Sequence, residues 1–273
     1  MSKVAVIGLG RWGKVLLKEL KEVAEVKYEC DSQTDLNTVF DDPEVRAVFI
    51  ATPTPTHFEI AKKALGNGKH MFLEKPGTTN SGYLKNLIEL AKEKSLKFAV
   101  GYEFAHHPVA QKLKKLLSSK KVVSIRFEWF KWGTFKDDAV HHLLCHEISI
   151  AQFLGIHLRP FSCTKTKVVS DSDIVETKYE GNISSIINRA SPIKQKIVTI
   201  STIETTYIWN NNDLFEVVGE ELRKIEVPEY PPVGAEVKDF LNSIEEDREP
   251  MVNGEFALDV YKTIELAQAS TLR

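Results

Sequence analysis

Lys3-Val4-Ala5-Val6-Ile7-Gly8-Leu9-Gly10-Arg11-Trp12-Gly13 is the stretch whose reading decides the fold. A short β-branched run ends in glycines spaced GxGxxG, and a helical pattern follows at once. Each glycine has a physical task there: a tight turn, close approach of backbone to a pyrophosphate, and close packing of helix on strand. The helix start adds unpaired N–H groups and the positive end of a dipole. The segment therefore predicts a dinucleotide site with Gly8, Gly10, Arg11, Trp12 and Gly13 as cofactor contacts.

Outward from that turn the pattern repeats. Apolar runs at Ala47–Thr52, Met71–Glu74 and Phe98–Gly101 alternate with helical periodicity over Arg11–Val23, Thr56–Asn67 and Gly82–Lys94. This is the βαβ rhythm of an α/β fold with a parallel, Rossmann-type sheet. A second strand, Val26–Cys30, ends in Asp31, near the spacing expected of an acid that accepts ribose hydroxyls. Its charge would repel a 2′-phosphate, which favours NAD over NADP. The next strand follows after only Ser32–Ala47, whereas a βαβ unit takes roughly 30 residues. We expect one helix and one edge strand to be missing on the adenine side.

From Val122 the period changes to two. Extended segments at Val122–Trp132, Ser162–Val169, Ile174–Tyr179, Ile183–Arg189, Gln195–Ile203, Thr205–Asn210, Leu214–Val218 and Leu222–Val227 are punctuated by Asn, Gly, Asp and Pro. Helices are expected at Val140–Leu154, Val233–Glu246 and Glu255–Gln268. The reading is a C-terminal α+β domain with a mainly antiparallel sheet, giving a dinucleotide-binding domain over 1–119 and a substrate-binding and oligomerisation domain over 120–273.

Composition narrows the function. The 273 residues carry 36 Lys+Arg against 38 Asp+Glu, a formal net charge of −2, so no basic field exists to hold nucleic acid. No apolar run approaches the roughly 20 residues of a membrane span, and a cytoplasmic location is expected. Three widely spaced cysteines, Cys30, Cys145 and Cys163, read as reduced thiols.

Several further pieces carry a resemblance: Ala51-Thr52-Pro53-Thr54-Pro55-Thr56-His57, Glu74-Lys75-Pro76, His142 and His146, and Glu249-Pro250-Met251-Val252-Asn253-Gly254-Glu255. With the glycine turn they make the chain resemble the Gfo/Idh/MocA family of NAD(P)-dependent oxidoreductases, which act mostly on sugars and polyols. Trp12-Gly13 and His146-Glu147-Ile148-Ser149 look like the branch that handles nucleotide-linked sugars. The resemblance implies a cis Lys75–Pro76 peptide and a Lys75 ammonium aimed at nicotinamide and substrate oxygen, where it would lower the hydroxyl pKa and stabilise an alkoxide. It implies cofactor contacts at Thr52, Pro53, Thr54, His57, Glu74 and Lys75, and substrate contacts at Lys75, Tyr102, His107, His142 and His146. Thr56 is read as a helix cap.

Lys75, His146 and His142 are the catalytic candidates. His146 takes the place of the family's proton-exchanging His, and His142 stands where the family usually has Asp, so it brings no permanent charge to fix the His146 tautomer. His107 stands where the family often has Asn. These departures leave two alternatives open: a metal held by His142 and His146, or by His141 and Cys145, together with His107, and a non-catalytic sensor of NAD or a sugar. The expectation is no metal, NAD or NADP as cofactor, a small sugar-type substrate, and a homo-oligomer, dimer or tetramer. Hydride transfer would join the nicotinamide to a secondary hydroxyl or ketone.

Overall fold

The computed structural model describes residues 2–135 and 138–271; Asp137, at the head of the expected histidine helix, lies outside them. In chain order the elements are β1 (Lys3–Ile7), α1 (Arg11–Lys21), β2 (Glu25–Cys30), α2 (Leu36–Phe40), β3 (Val45–Ile50), α3 (Thr54–Gly66), β4 (His70–Glu74), α4 (Ser81–Glu93), β5 (Phe98–Gly101) and α5 (Pro108–Leu117). There follow β6 (Val122–Trp132), α6 (Cys145–Phe153), β7 (Pro160–Thr166), β8 (Ile174–Tyr179), β9 (Ile183–Asn188), β10 (Ala190–Thr202), β11 (Thr206–Asn210), β12 (Asp213–Val218), β13 (Glu221–Ile225), α7 (Pro232–Glu245) and α8 (Gly254–Ala269).

The chain divides into two compact units, Met1–His106 with Tyr230–Tyr261, and His107–Glu229 with Lys262–Arg273. This differs from the single cut expected after residue 119. Residues 107–119 fall in the second unit, and the chain returns to the first after residue 229.

In the first unit all five strands run parallel in the order β2-β1-β3-β4-β5. The order reverses between β1 and β3, which is where α/β sheets open a crevice beyond their carboxyl ends. The inner strands β1, β3 and β4 are largely buried, as a sheet covered on both faces requires. β2 alternates exposed and half-buried positions up to the buried Cys30 and forms one of the two edges, with no strand beyond it among the described residues; the shortened adenine side expected from the sequence is present. The return of α7 explains the unit boundary. Phe240 sets its ring edge-on to Phe49 at 5.4 Å and packs on Phe72 at 5.8 Å, while Val237 joins Leu16 and Leu20 of α1 in the same core. Each aromatic pair adds ~0.5–1.5 kcal/mol beyond area burial.

The second unit is built on an eight-stranded sheet, β13-β12-β11-β10-β6-β9-β8-β7, antiparallel except for the β6/β9 pair. Its inner face follows the two-residue period: Ile125 and Phe127 on β6, Val198 and Ile200 on β10, Tyr207 and Trp209 on β11 are all buried. The three cysteines are free and buried. No helix among the described residues is long and apolar enough to cross a membrane.

Candidate functional site

The glycine turn is shaped by close backbone contacts. Gly8 has φ +98°, and a Cβ there would come within 2.8 Å of the Ala51 carbonyl and the Thr52 nitrogen. A Cβ on Gly13 would stand 1.7 Å from the Gly8 oxygen. Gly10 differs, because nothing lies within 4 Å of its Cβ position. Two glycines thus let the chain pack on itself, and the third keeps space open over a cavity of about 690 Å³. That cavity is lined by Gly8, Gly10, Arg11 and Trp12 of the turn, Asp31 from the end of β2, and Thr52 and Pro53 from the end of β3. The open cradle, the start of α1 and an acid at the far strand end suit a dinucleotide: pyrophosphate at the helix N-terminus, ribose hydroxyls at Asp31. Asp31 accepts hydrogen bonds from Gln33 N–H (2.9 Å) and Thr34 Oγ1 (3.2 Å), which hold its carboxyl below the usual range and therefore ionised.

Other predicted cofactor residues stand outside this lining. Gly13 is packed behind the turn. Thr54 begins α3, whose cap is Pro53 rather than Thr56. The two prolines shift the helix start two residues earlier than the periodicity implied, and Thr56 instead donates from its hydroxyl within the first turn. His57 is buried, with Nδ1 2.9 Å from the Gly77 oxygen and Nε2 2.7 Å from the Thr52 oxygen. It ties the loop after β3 to the turn after Pro76, so it shapes the cavity wall without lining it. Burial pushes its pKa down.

Glu74 closes β4, Lys75 follows, and the Lys75–Pro76 peptide is cis. Burial pushes the Glu74 carboxyl up to about 7, against the opposing pull of Lys75, while Glu103 reinforces the rise. A third acid of the same unit, Glu236 on α7, is buried and driven well above its ordinary pKa by burial and by the neighbouring Glu74 and Glu103. Nothing in the sequence pattern of α7 marked it. Tyr102, expected at the substrate, is 0% exposed and packs beside Phe256 at 6.2 Å; its ring is core.

The histidines predicted for proton handling and substrate contact belong to the second unit. Val140–Leu144 is a π-helical turn that leads into α6. The four-residue spacing that aligns two side chains on an α-helix does not carry over unchanged to that wider turn, so the shared face expected for His142 and His146 is not given by spacing. His142 is half-buried, whereas His146 is buried with its ring stacked on Trp129 at 5.1 Å and 16°. His107 caps α5, accepting from Val109 N–H at 3.2 Å, and packs on Trp209 at 4.8 Å. Burial pushes its pKa down to about 4, helped by the Lys196 charge and opposed by Asn212. The acid nearest the π-helical turn, Asp138, serves His141 (3.5 Å), Lys165 (3.4 Å) and Val140 N–H (3.2 Å). Burial would raise its pKa, but the His141 hydrogen bond and the Lys165 charge outweigh it and hold the carboxyl low. Glu147, next to His146, accepts the Ser185 hydroxyl, and burial pushes it up to about 8. Among the described residues no group of three or more His, Cys, Asp or Glu side chains is placed to hold a metal ion.

Residues 16–102 match the model of an oxidoreductase family with an NAD-binding Rossmann fold. Over these residues the chain is similar to that family. Relatives of the oxidoreductase family extend the likeness over most of the chain. The UDP-N-acetylglucosamine 3-dehydrogenase of Acidithiobacillus ferrooxidans is 25% identical over 234 residues, covering 77% of this chain and 74% of its own. Its solved structure superposes with a TM-score of 0.89 over 98% of this chain and 97% of that one, at 21% identity. A 3-ketoreductase variant from Actinomadura kijaniata, solved with TDP-benzene and NADP, reaches 0.87 at 14% identity over 99% and 98% of the two chains. Levoglucosan dehydrogenase in complex with NADH and levoglucosan reaches 0.84 at 17% identity over 98% and 96%. At these identities the superpositions establish the two-part fold.

Proposed function

We propose that the chain is an NAD(P)-dependent oxidoreductase that interconverts a secondary hydroxyl and a ketone on a sugar, polyol or nucleotide-linked sugar. The observation that carries this reading is one cavity holding the glycine turn, the start of α1 and the ionised Asp31. The named relatives and structural neighbours, dehydrogenases and reductases of sugars and nucleotide sugars, support the same class.

When bound, the nicotinamide supplies the hydride acceptor or donor. The chain's own residues do the rest. Gly8, Gly10 and the first turn of α1 hold the phosphates, and Asp31 accepts the ribose hydroxyls and disfavours a 2′-phosphate, so NAD is the preferred cofactor. Lys75 orients the substrate oxygen and, as an ammonium, stabilises negative charge on it. His146 takes or returns the hydroxyl proton, its ring orientation set by Trp129. His142 assists by hydrogen bonding. Exposed Trp132, Phe161 and Leu222 on the large sheet support self-association as a homodimer or tetramer, measurable by light scattering.

The test is absorbance in the reduced-nicotinamide band with NAD and, separately, NADP, over free sugars, polyols and nucleotide sugars. We expect saturable turnover that Lys75→Ala lowers by about 10²–10⁴-fold while NAD affinity stays within a few-fold. NAD binding without turnover of any substrate would make the protein a sensor.

A further inference from the structure

One row on the inner face of the eight-stranded sheet breaks its apolar alternation. Along β10 the side chains of Ile200 and Val198 point into the core, and the same period brings Lys196 to that face. Along β6 Ile125 and Phe127 are followed in the same way by Trp129, and the register pairs Trp129 directly with Lys196. A lysine is an unfavourable choice for a core row, because an ammonium leaving water needs compensation.

The surroundings provide it. Lys196 Nζ lies 5.0 Å from the ring centre of Trp209 and 5.7 Å from that of Trp129, both within cation–π reach. Each indole also packs on a histidine: Trp129 on His146, Trp209 on His107. Asn211 locks the arrangement, donating its N–H to the Lys196 carbonyl at 2.9 Å and accepting the Trp209 indole N–H at 2.7 Å. Trp129 and Lys196 are half-buried and thus within reach of a ligand, whereas Trp209 is fully buried behind them.

This assembly has a definite chemistry. An ammonium offers donors only and favours an anion. An indole face accepts the C–H face of a sugar ring. A cation fixed at the end of a core row, next to the ring stacked on the proton-handling His146, is preorganised to orient a charged substrate against that histidine.

We propose that Lys196, with Trp129, forms a subsite for an anionic group of the substrate, a carboxylate or phosphoryl group carried by the sugar. This rests on the sugar-oxidoreductase reading above and names its substrate class. Trp209 and Asn211 are positioning residues that hold Lys196 in place.

The experiment is calorimetric titration of the NAD-loaded full chain with glucose, glucuronate, glucose 6-phosphate and UDP-N-acetylglucosamine, for the parent, Lys196→Met and Lys196→Arg. At least one anionic ligand should bind about tenfold or more tightly than glucose; Lys196→Met should abolish that preference and Lys196→Arg retain most of it. The uronate and phosphate arms distinguish the two anion classes. Melting temperatures and NAD affinity of each variant report on folding, and Lys196→Gln replaces Lys196→Met if the latter does not fold. No preference for anionic ligands in the parent, or a preference that survives Lys196→Met, overturns the subsite. Because the readout is binding, the two readings fail separately. Lys196-dependent binding without turnover overturns the oxidoreductase and keeps the subsite; turnover of neutral sugars with no anion preference does the reverse.

Discussion

The glycine turn at Gly8–Gly13 and the histidine segment around His142–His146 are built by different means. The first is a backbone site: it works because side chains are missing at Gly8 and Gly13, where a Cβ would meet backbone at 2.8 Å and 1.7 Å. The second is a side-chain site: His146 is placed by Trp129, and His107 by Trp209, each projecting from a strand of the large sheet. A backbone site is specified by a few consecutive residues, while a side-chain site on a sheet face depends on the register of strands far apart in the chain. Substitutions should therefore act all-or-none in the first and by degrees in the second.

The largest effect should come from Gly13→Val, which forces a side chain against the Gly8 carbonyl. It should cost more than about 4 kcal/mol and abolish NAD binding, read by thermal unfolding and calorimetry. Gly10→Ala is the control that sharpens the contrast: its Cβ meets nothing, so stability should change by less than about 0.5 kcal/mol while NAD affinity drops. Equal losses at both positions would break the distinction between packing glycines and a cradle glycine.

Next in size is Phe240→Ala in α7, which removes the ring packed on Phe49 and Phe72 and should cost about 3–5 kcal/mol in denaturant unfolding. Its effect belongs to the first unit, although the residue lies beyond every strand of the second.

In the second unit, Glu147→Gln tests how burial tunes the helix that carries His146. The folded carboxyl titrates near 8 and the unfolded one near its ordinary value of 4.5. Between those values the folded state holds a proton that the unfolded state has released, so this group's contribution to stability falls as pH rises from about 4.5 to 8. The variant lacks that dependence. Relative to the parent it should gain stability steadily from pH 5 to pH 8, as seen in melting temperatures across that range; a constant offset would mean Glu147 is already ionised in the fold.

The smallest effect should be Asp31→Ser. Removing the ionised carboxyl at the end of β2 should lower the preference for NAD over NADP by about tenfold, measured as the ratio of the two dissociation constants.

The two regions also differ in how far the sequence revealed them. The strands of the first sheet, the glycine turn, Asp31 and the absent edge strand were legible because each depends on short-range spacing. His57 and Tyr102 were legible as special residues but not in their roles: one fastens two loops and the other fills the core, which requires knowing what packs against them. In the second unit the strands were legible and their partners were not. Lys196 carried a signal, since it continues the inward row of Val198 and Ile200, but only the pairing with Trp129 gives that signal meaning.

By itself the sequence determined the parallel α/β half, the mainly antiparallel half, the glycine turn and the identity of the candidate acid, base and ammonium groups. Periodicity and glycine sterics act over a few residues, so they can be read without knowing the rest of the chain. Tertiary structure alone decided that α7 returns to the first sheet, that His142 sits in a π-helical turn, and that Lys196 lies between Trp129 and Trp209. Those placements arise from contacts between segments as far apart in the chain as Leu16 and Val237, where burial of matching surfaces and strand register, rather than any local pattern, select the neighbour.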